Sequence, residues 1–218
     1  MAIRLEEDHP SIVVLGGFDP RRFHPQWFRA EKLLGEVEAE QAEIRFVTEQ
    51  ISDWSAEWFD LQVTQNRLLV VSKVESRAES LRDLVIGILQ LLDQTVTLAL
   101  GLNRSMHFDV GGEQSWNRVG DTLAPKALWQ PHLPKRPGLR TLQIEETTRA
   151  DGLPGRIVVS VQPSLKYTHG VYFDVNHEIR PQGERSTPFF LEVLRDHWER
   201  LLVEAKKMAE DLLERAQR

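Results

Sequence analysis

The chain reads as an α+β protein: one continuous antiparallel sheet with long helices packed on one face, in the manner of a saddle or helix-grip fold. Three observations predict this. Short stretches alternate apolar and polar residues with the period of a half-buried strand, most clearly Trp58 to Gln65 and Val171 to Glu178. Two long segments carry apolar residues at helical spacing. One order of elements (strand, helix, three strands, long helix) also occurs twice. That order divides a single compact domain, 1–218, into pseudo-repeats 1–102 and 103–187, followed by a long carboxyl-terminal helix over 188–217.

The elements follow in sequence. Ser11 to Phe18 is an apolar run closed by a Gly pair and Asp19-Pro20, which suits a first strand and a turn. His24-Pro25 opens a helix whose apolar side is Trp27, Phe28, Leu33, Leu34 and Val37. Three strands are expected next. Glu43 to Gln50 alternates, as does Trp58 to Gln65, and Asn66-Arg67 is a tight connection into LLVVSKV. Ser76-x-x-Glu79 has the form of a capping box, and Leu81, Leu84, Val85, Ile88, Leu91 and Leu92 extend a helix with apolar residues continuing to Leu102. The second half restarts with Met106, Phe108 and Val110 alternating against His107 and Asp109. A Gly111-Gly112 break, a helix from about Glu113 to Ala124 and a Pro-punctuated loop lead into strands at Leu139 to Glu146, Arg156 to Gln162 and Val171 to Glu178. Thr187-Pro188, an N-cap and a first-turn proline, opens the last helix.

Composition bounds the function classes. With 218 residues, 41% hydrophobic, the chain is long enough to bury a real core. It has no cysteine, which excludes disulfides, thiolate metal sites and cysteine nucleophiles together. Its amino end lacks the basic-then-apolar layout of a signal peptide, so a cytoplasmic location is expected. The most apolar run, Leu84 to Leu102, is broken by Gln90, Asp93 and Gln94, short of the roughly 20 residues that a membrane helix needs. Up to Leu102 there are 10 Lys+Arg against 17 Asp+Glu, and from Asn103 onward 17 against 16. An acidic first half repels phosphate backbones, so nucleic acid is a disfavoured partner. The one basic candidate is Lys135, Arg136 and Arg140, with Arg156 beyond it; its cations are interleaved with Pro134 and Pro137 and form no stripe.

No catalytic constellation is legible. HExxH and GxSxG are absent, and the Gly16-Gly17 and Gly111-Gly112 pairs are turns rather than a phosphate cradle. His177 and Glu178 are neighbours on a strand and point to opposite faces. A metal centre is not expected, nor any cofactor. The polar residues of the alternating strands instead form a candidate ligand or partner face. They are Trp58, Asp60, Gln62 and Thr64, then His107 and Asp109, then Tyr172, Asp174, Asn176 and Glu178. A solvated sheet face has the same pattern. Trp129, beside Pro131, reads as a loop anchor.

The last helix carries the strongest interaction signal. Leu191, Leu194, Trp198, Leu201, Ala205, Met208 and Leu212 are spaced alternately by 3 and 4. Over Pro188 to Gln217 the helix would extend about 45 Å, beyond a small domain's width. Its first half is expected on the sheet, and Leu201, Ala205, Met208 and Leu212 form a candidate interface for self-association or a protein partner.

The stretches GGFDPRRFHPQWF, SDWSAEWFDLQVTQNRL, LGLNRSMHF and PSLKYTHGVYFDVNHE, which together span most of the chain, resemble an uncharacterised, sporadically distributed family of bacterial hypothetical proteins. That family has no established activity, so the resemblance assigns no functional residues. Its sporadic occurrence implies an association with mobile elements or phage defence. The doubled order is also similar, by fold analogy alone, to the saddle of the TATA-binding protein, but an outward face carrying Asp60, Asp109, Asp174 and Glu178 is unsuited to DNA.

Three function classes therefore stand. The first is a non-enzymatic binding or assembly module acting through protein contacts of the outward sheet face and the last helix. The second is a small-ligand sensor or enzyme with a pocket between sheet and long helices, lined by Tyr172, Asp174, His107 and Asp60. The third is nucleic-acid binding through Lys135, Arg136, Arg140 and Arg156.

Overall fold

The structure is a computed structural model that describes residues 3–135, 137–182 and 186–218. Among the described residues, nine strands form one sheet in which every neighbouring pair is antiparallel. The first half contributes β1 (Arg4–Gly16), the short helices α1 (Pro25–Ala30) and α2 (Glu36–Glu40), β2 (Glu43–Val47), β3 (Ile51–Ser55), β4 (Phe59–Thr64), β5 (Arg67–Ser72) and helix α3 (Ala78–Leu91). The second contributes β6 (Thr97–Asp109), α4 (Glu113–Leu123), β7 (Leu142–Glu146), β8 (Gly155–Pro163), β9 (Gly170–Ile179), α5 (Thr187–Asp196) and α6 (Trp198–Gln217).

The sheet order is β2-β3-β4-β5-β1-β6-β9-β8-β7. It is symmetrical about the β1/β6 pair: β5, β4 and β3 step outward on one side as β9, β8 and β7 do on the other, and β2 is the additional strand. Each half is thus a strand, a helical segment, a meander whose last strand returns to pair with the first, and a helix on the sheet.

Several boundaries differ from the sequence expectation. The first half has four strands after its short helices, not three. β3 escapes notice because its inward residues include Ser52, whose hydroxyl donates to the Phe23 carbonyl at 2.5 Å, while the Trp54 indole donates to the same oxygen at 2.8 Å. A polar residue satisfied by backbone breaks the apolar alternation. α3 stops at Leu91, and Thr97 to Leu102 belong to β6; the residues between form the turn. No side chain caps α3, which follows a 3-10 turn over Glu75–Arg77, so Ser76 does not close a capping box. Gly155 opens β8 at φ 130°, where a Cβ would lie 2.0 Å from the Glu178 carbonyl oxygen, so only glycine fits this close approach to β9.

Two buried clusters fill the helix side of the sheet. One lies under α1, α3 and α5 and holds Ile12, Trp54, Leu61, Val70, Ile88, Leu102 and Phe190; the other lies under α4 and α6 and holds Met106, Phe108, Val161, Phe173, Val175, Ala209 and Leu213. The expected single helix from Pro188 breaks at His197, whose carbonyl caps the start of α6 by accepting from the Leu201 amide at 2.9 Å. Nor does its end project from the domain. Thr122 and Arg118 of α4 donate to the carbonyls of Ala216 and Gln217 at 3.2 and 2.8 Å, and Gln217 donates to the Val110 carbonyl at 3.3 Å.

Candidate functional site

The expected outward residues divide into one that belongs to the core and others that face outward. Trp58 is a correction: it is buried in the first core cluster, edge-on to Phe59 at 4.6 Å, with its indole donating to Glu38 of α2 at 3.1 Å. It lies just before β4, where strand alternation no longer governs direction. Asp60 and Gln62 do face outward. Asp60 sits 3.7 and 3.8 Å from Arg45 and Lys73, and Gln62 donates to Asp53 at 3.1 Å. Thr64 bonds Asn66, Asp109 accepts from Gly111 N and lies 3.4 Å from Arg4, and Glu178 is held by Arg156 and Arg180. Most of these are local surface pairs, which solvent and salt screen.

A denser group forms where β6 and β9 pair, because Ser105 stands opposite Asp174 and His107 opposite Tyr172. The Tyr172 hydroxyl donates to Ser105 Oγ at 3.1 Å, and Ser105 donates to Asp174 at 2.7 Å. Burial pushes the Asp174 carboxyl above its ordinary range, against the two hydroxyls that favour the ionised form. The same burial raises the Tyr172 phenol. The His107 ring lies on Tyr172 at 4.8 Å and near Tyr167 at 5.9 Å. Ser164 Oγ accepts from the amides of Lys166 and Tyr167, leaving its proton for His107 Nδ1 at 2.9 Å. That arrangement places the ring proton on Nε2, and burial lowers the His107 pKa, in keeping with a neutral ring. Beside this group, Lys166, His9 and Tyr167 converge on Glu7; the Lys166 bond is the largest cause of a Glu7 pKa lowered to about 2. In the next row Asn176 faces Asn103, and its Oδ1 is buried without a partner among the described residues.

Asp60, four strands from Tyr172, stands apart from this cluster. All of these residues lie on the face away from the helices, so the expected polar lining of a pocket between sheet and helices is also corrected. Between α6 and the last strands, the space on the helix side is apolar. It is a groove of about 520 Å³ between α6 and the inner face of β7 and β8, lined by Leu123, Leu142, Ile144, Val159, Met208 and Leu212, with Val161 at its base. Glu204, Lys207, Asp211 and Arg215 of α6 form its charged rim.

The groove exists because α6 turns away from the predicted seam. Leu201 and Ala205 are fully buried in the two cores, and burial then continues through Ala209, Leu213 and Ala216. Met208 and Leu212 are left half-buried on the groove flank. A strict heptad pattern drifts around a straight helix by about 20° per repeat, so a helix lying on a sheet cannot keep it at the contact. In the first half the corresponding space over β3 and β4 is closed by α1 and its neighbours, with Phe28 edge-on to Trp54 at 5.0 Å. Sequence reading missed the groove, although Leu142 and Ile144 in an alternating stretch and Met208 and Leu212 in the helix pattern were its signals.

Trp129, expected as an anchor, is half exposed, as is Leu133, and Leu128 beside it is largely exposed. Of the basic candidates, Arg156 is engaged by Glu145 and Glu178, and Arg136 lies outside the described residues. No three His, Asp or Glu residues among those described are placed to hold a metal ion, and none of the described helices is long and apolar enough to cross a membrane. No protein-family model matches the chain, and no curated protein does.

Proposed function

We propose that the chain is a protein-binding or assembly module whose contact region is the apolar groove between α6 and the β7/β8 end of the sheet. The observation that carries this reading is the groove's composition: its walls are almost wholly apolar, charges are confined to one rim, and it opens at the outermost strand. Apolar side chains gathered in a groove with a charged rim are the usual anatomy of a protein contact. Ionisable side chains on the outer face are mostly committed to one another, which supports a structural role there. A small-ligand reading keeps one point in its favour, the unpartnered Asn176 oxygen beside Asn103 and Asp174.

Tagged chain recovered from its native host separates the two. A stoichiometric protein, this chain or another, that co-purifies with the wild type and is lost with Met208→Glu while the fold is retained supports the groove. Recovery of no stoichiometric protein, together with thermal stabilisation by a nucleotide or metal library that Asn176→Ala removes, would refute it.

A further inference from the structure

We infer that the partner at this end of the molecule is a second copy of the chain, added antiparallel along the free edge of β7 about a twofold axis at Gln143. The inference rests on the reading of the groove as a protein contact. The two edges of the sheet differ. At the β2 edge the ladder is interrupted by a bulge between Ile44 and Phe46, and Arg45 there is tied to Asp53. Bulges and edge cations protect a sheet from further pairing. The β7 edge carries no such device: its ladder with β8 is regular from Leu142 to Glu146, and those residues include neither proline nor lysine. Among the described residues, no backbone hydrogen bond reaches β7 except from β8. Ile144 is 59% exposed on its groove side.

The residues of this edge are self-complementary in one register. Glu146 shares the face of Leu142 and Ile144, and Arg140 stands exposed in a bend two residues before β7. Pairing about Gln143 sets Leu142 opposite Ile144 of the second copy and, with β7 lengthened by two residues as it gains a partner strand, Arg140 opposite its Glu146, each contact made twice. Gln143 meets its own counterpart on the outer face, where two amides can exchange hydrogen bonds. Neither Arg140 nor Glu146 has an ion-pair partner among the described residues. A register centred one residue later would instead place Glu146 against Leu142 without a counter-charge, which is unfavourable. The axis also joins the two grooves into one apolar trough under both sets of helices. A twofold, isologous contact closes on itself and so uses up the open edges that would otherwise propagate.

The test is sedimentation equilibrium of the full chain from about 5 to 200 µM, a range that covers a dissociation constant of modest strength. The wild type is expected at twice the chain mass at the upper end. Ile144→Lys, at an exposed position, is expected to be monomeric with unchanged circular dichroism. Arg140→Glu and Glu146→Arg should each weaken the dimer about tenfold or more, and the double variant R140E/E146R should restore it, since two like-charge contacts are made and then removed. A wild type that stays monomeric, a dimer indifferent to Ile144→Lys, or a double variant no better than the singles overturns the inference. If the wild type is monomeric yet another protein binds and is lost with Met208→Glu, the second copy is wrong and the groove reading survives.

Discussion

Arg104 of β6 and Asp8 of β1 are paired across the seam between the two halves, with Nε and Nη2 donating to the two carboxylate oxygens at 2.8 and 2.5 Å and both side chains only 6% exposed. Nη1 donates to the Leu202 carbonyl of α6 at 2.8 Å, and Glu75 and Lys206 complete the group. Along β6 the inward neighbours of Arg104 are Leu102, in the first core, and Met106, in the second. The pair therefore sits where the two cores meet, and binds β1, β6, α6 and the turn before α3 together.

Removing Asp8 leaves Arg104 with Glu75 alone, and removing Arg104 leaves the buried Asp8 with Lys206 at 3.8 Å, so in each case a buried charge loses its bidentate partner. Arg104→Ala or Asp8→Ala is expected to lower stability by about 3–5 kcal/mol, and the apolar double variant R104M/D8L to recover a large part of that. Urea midpoints of the four proteins check this. Single variants within about 1 kcal/mol of the wild type would refute it.

His177 is 2% exposed on the inner face of β9, with Arg149 Nη1 3.4 Å from its Nδ1 and no partner for Nε2 among the described residues. Burial, and then the Arg149 charge, lower its pKa from 6.5 to about 4. In the unfolded chain the ring takes up a proton as the pH falls below about 6.5, and in the folded chain it does not until about 4. This stability is thus complete above pH 6.5 and is lost between 6.5 and 4, by about 3 kcal/mol for a shift of this size. The stability difference between wild type and His177→Gln, followed by urea denaturation from pH 7.5 to 4.5, should move by that order against the wild type. A difference constant with pH would disprove the assignment.

The end of α6 completes the second core instead of extending past it. Leu213→Ala is expected to cost about 2–5 kcal/mol, as a fully buried leucine does, and Met208→Ala on the groove flank about 1 kcal/mol. Deleting the residues after Ala205 removes Ala209, Leu213 and Ala216 from the core and should leave the second half unfolded. A truncated chain with native circular dichroism and unchanged melting would contradict this.

The alternation of Phe59, Leu61 and Val63, and of Phe173 and Val175, was enough to place β4 and β9 and to assign their faces, because burial on one side imposes a period of two. The same rule misplaced Trp58, which precedes the strand, and passed over β3, where Ser52 is buried against a backbone carbonyl that no local pattern announces. Of the candidate interface on the last helix, Met208 and Leu212 do face the groove, while Leu201 and Ala205 are core. Spacing along a helix ranks residues by face, but which face meets the sheet depends on where the sheet lies.

The sequence by itself determined the class of the fold and the place and facing of its most regularly alternating strands, since these depend on periodicities of two and 3.6 residues within short windows. The tertiary structure alone decided the buried Arg104–Asp8 pair, the joining of Ser105 to Tyr172, Asp174 and His107 with Asp60 left out, and the groove over β7 and β8. Their members come from segments tens of residues or more apart and meet only through strand register and helix docking. A long-range contact leaves no local period, so its energy is expressed only when the chain closes on itself.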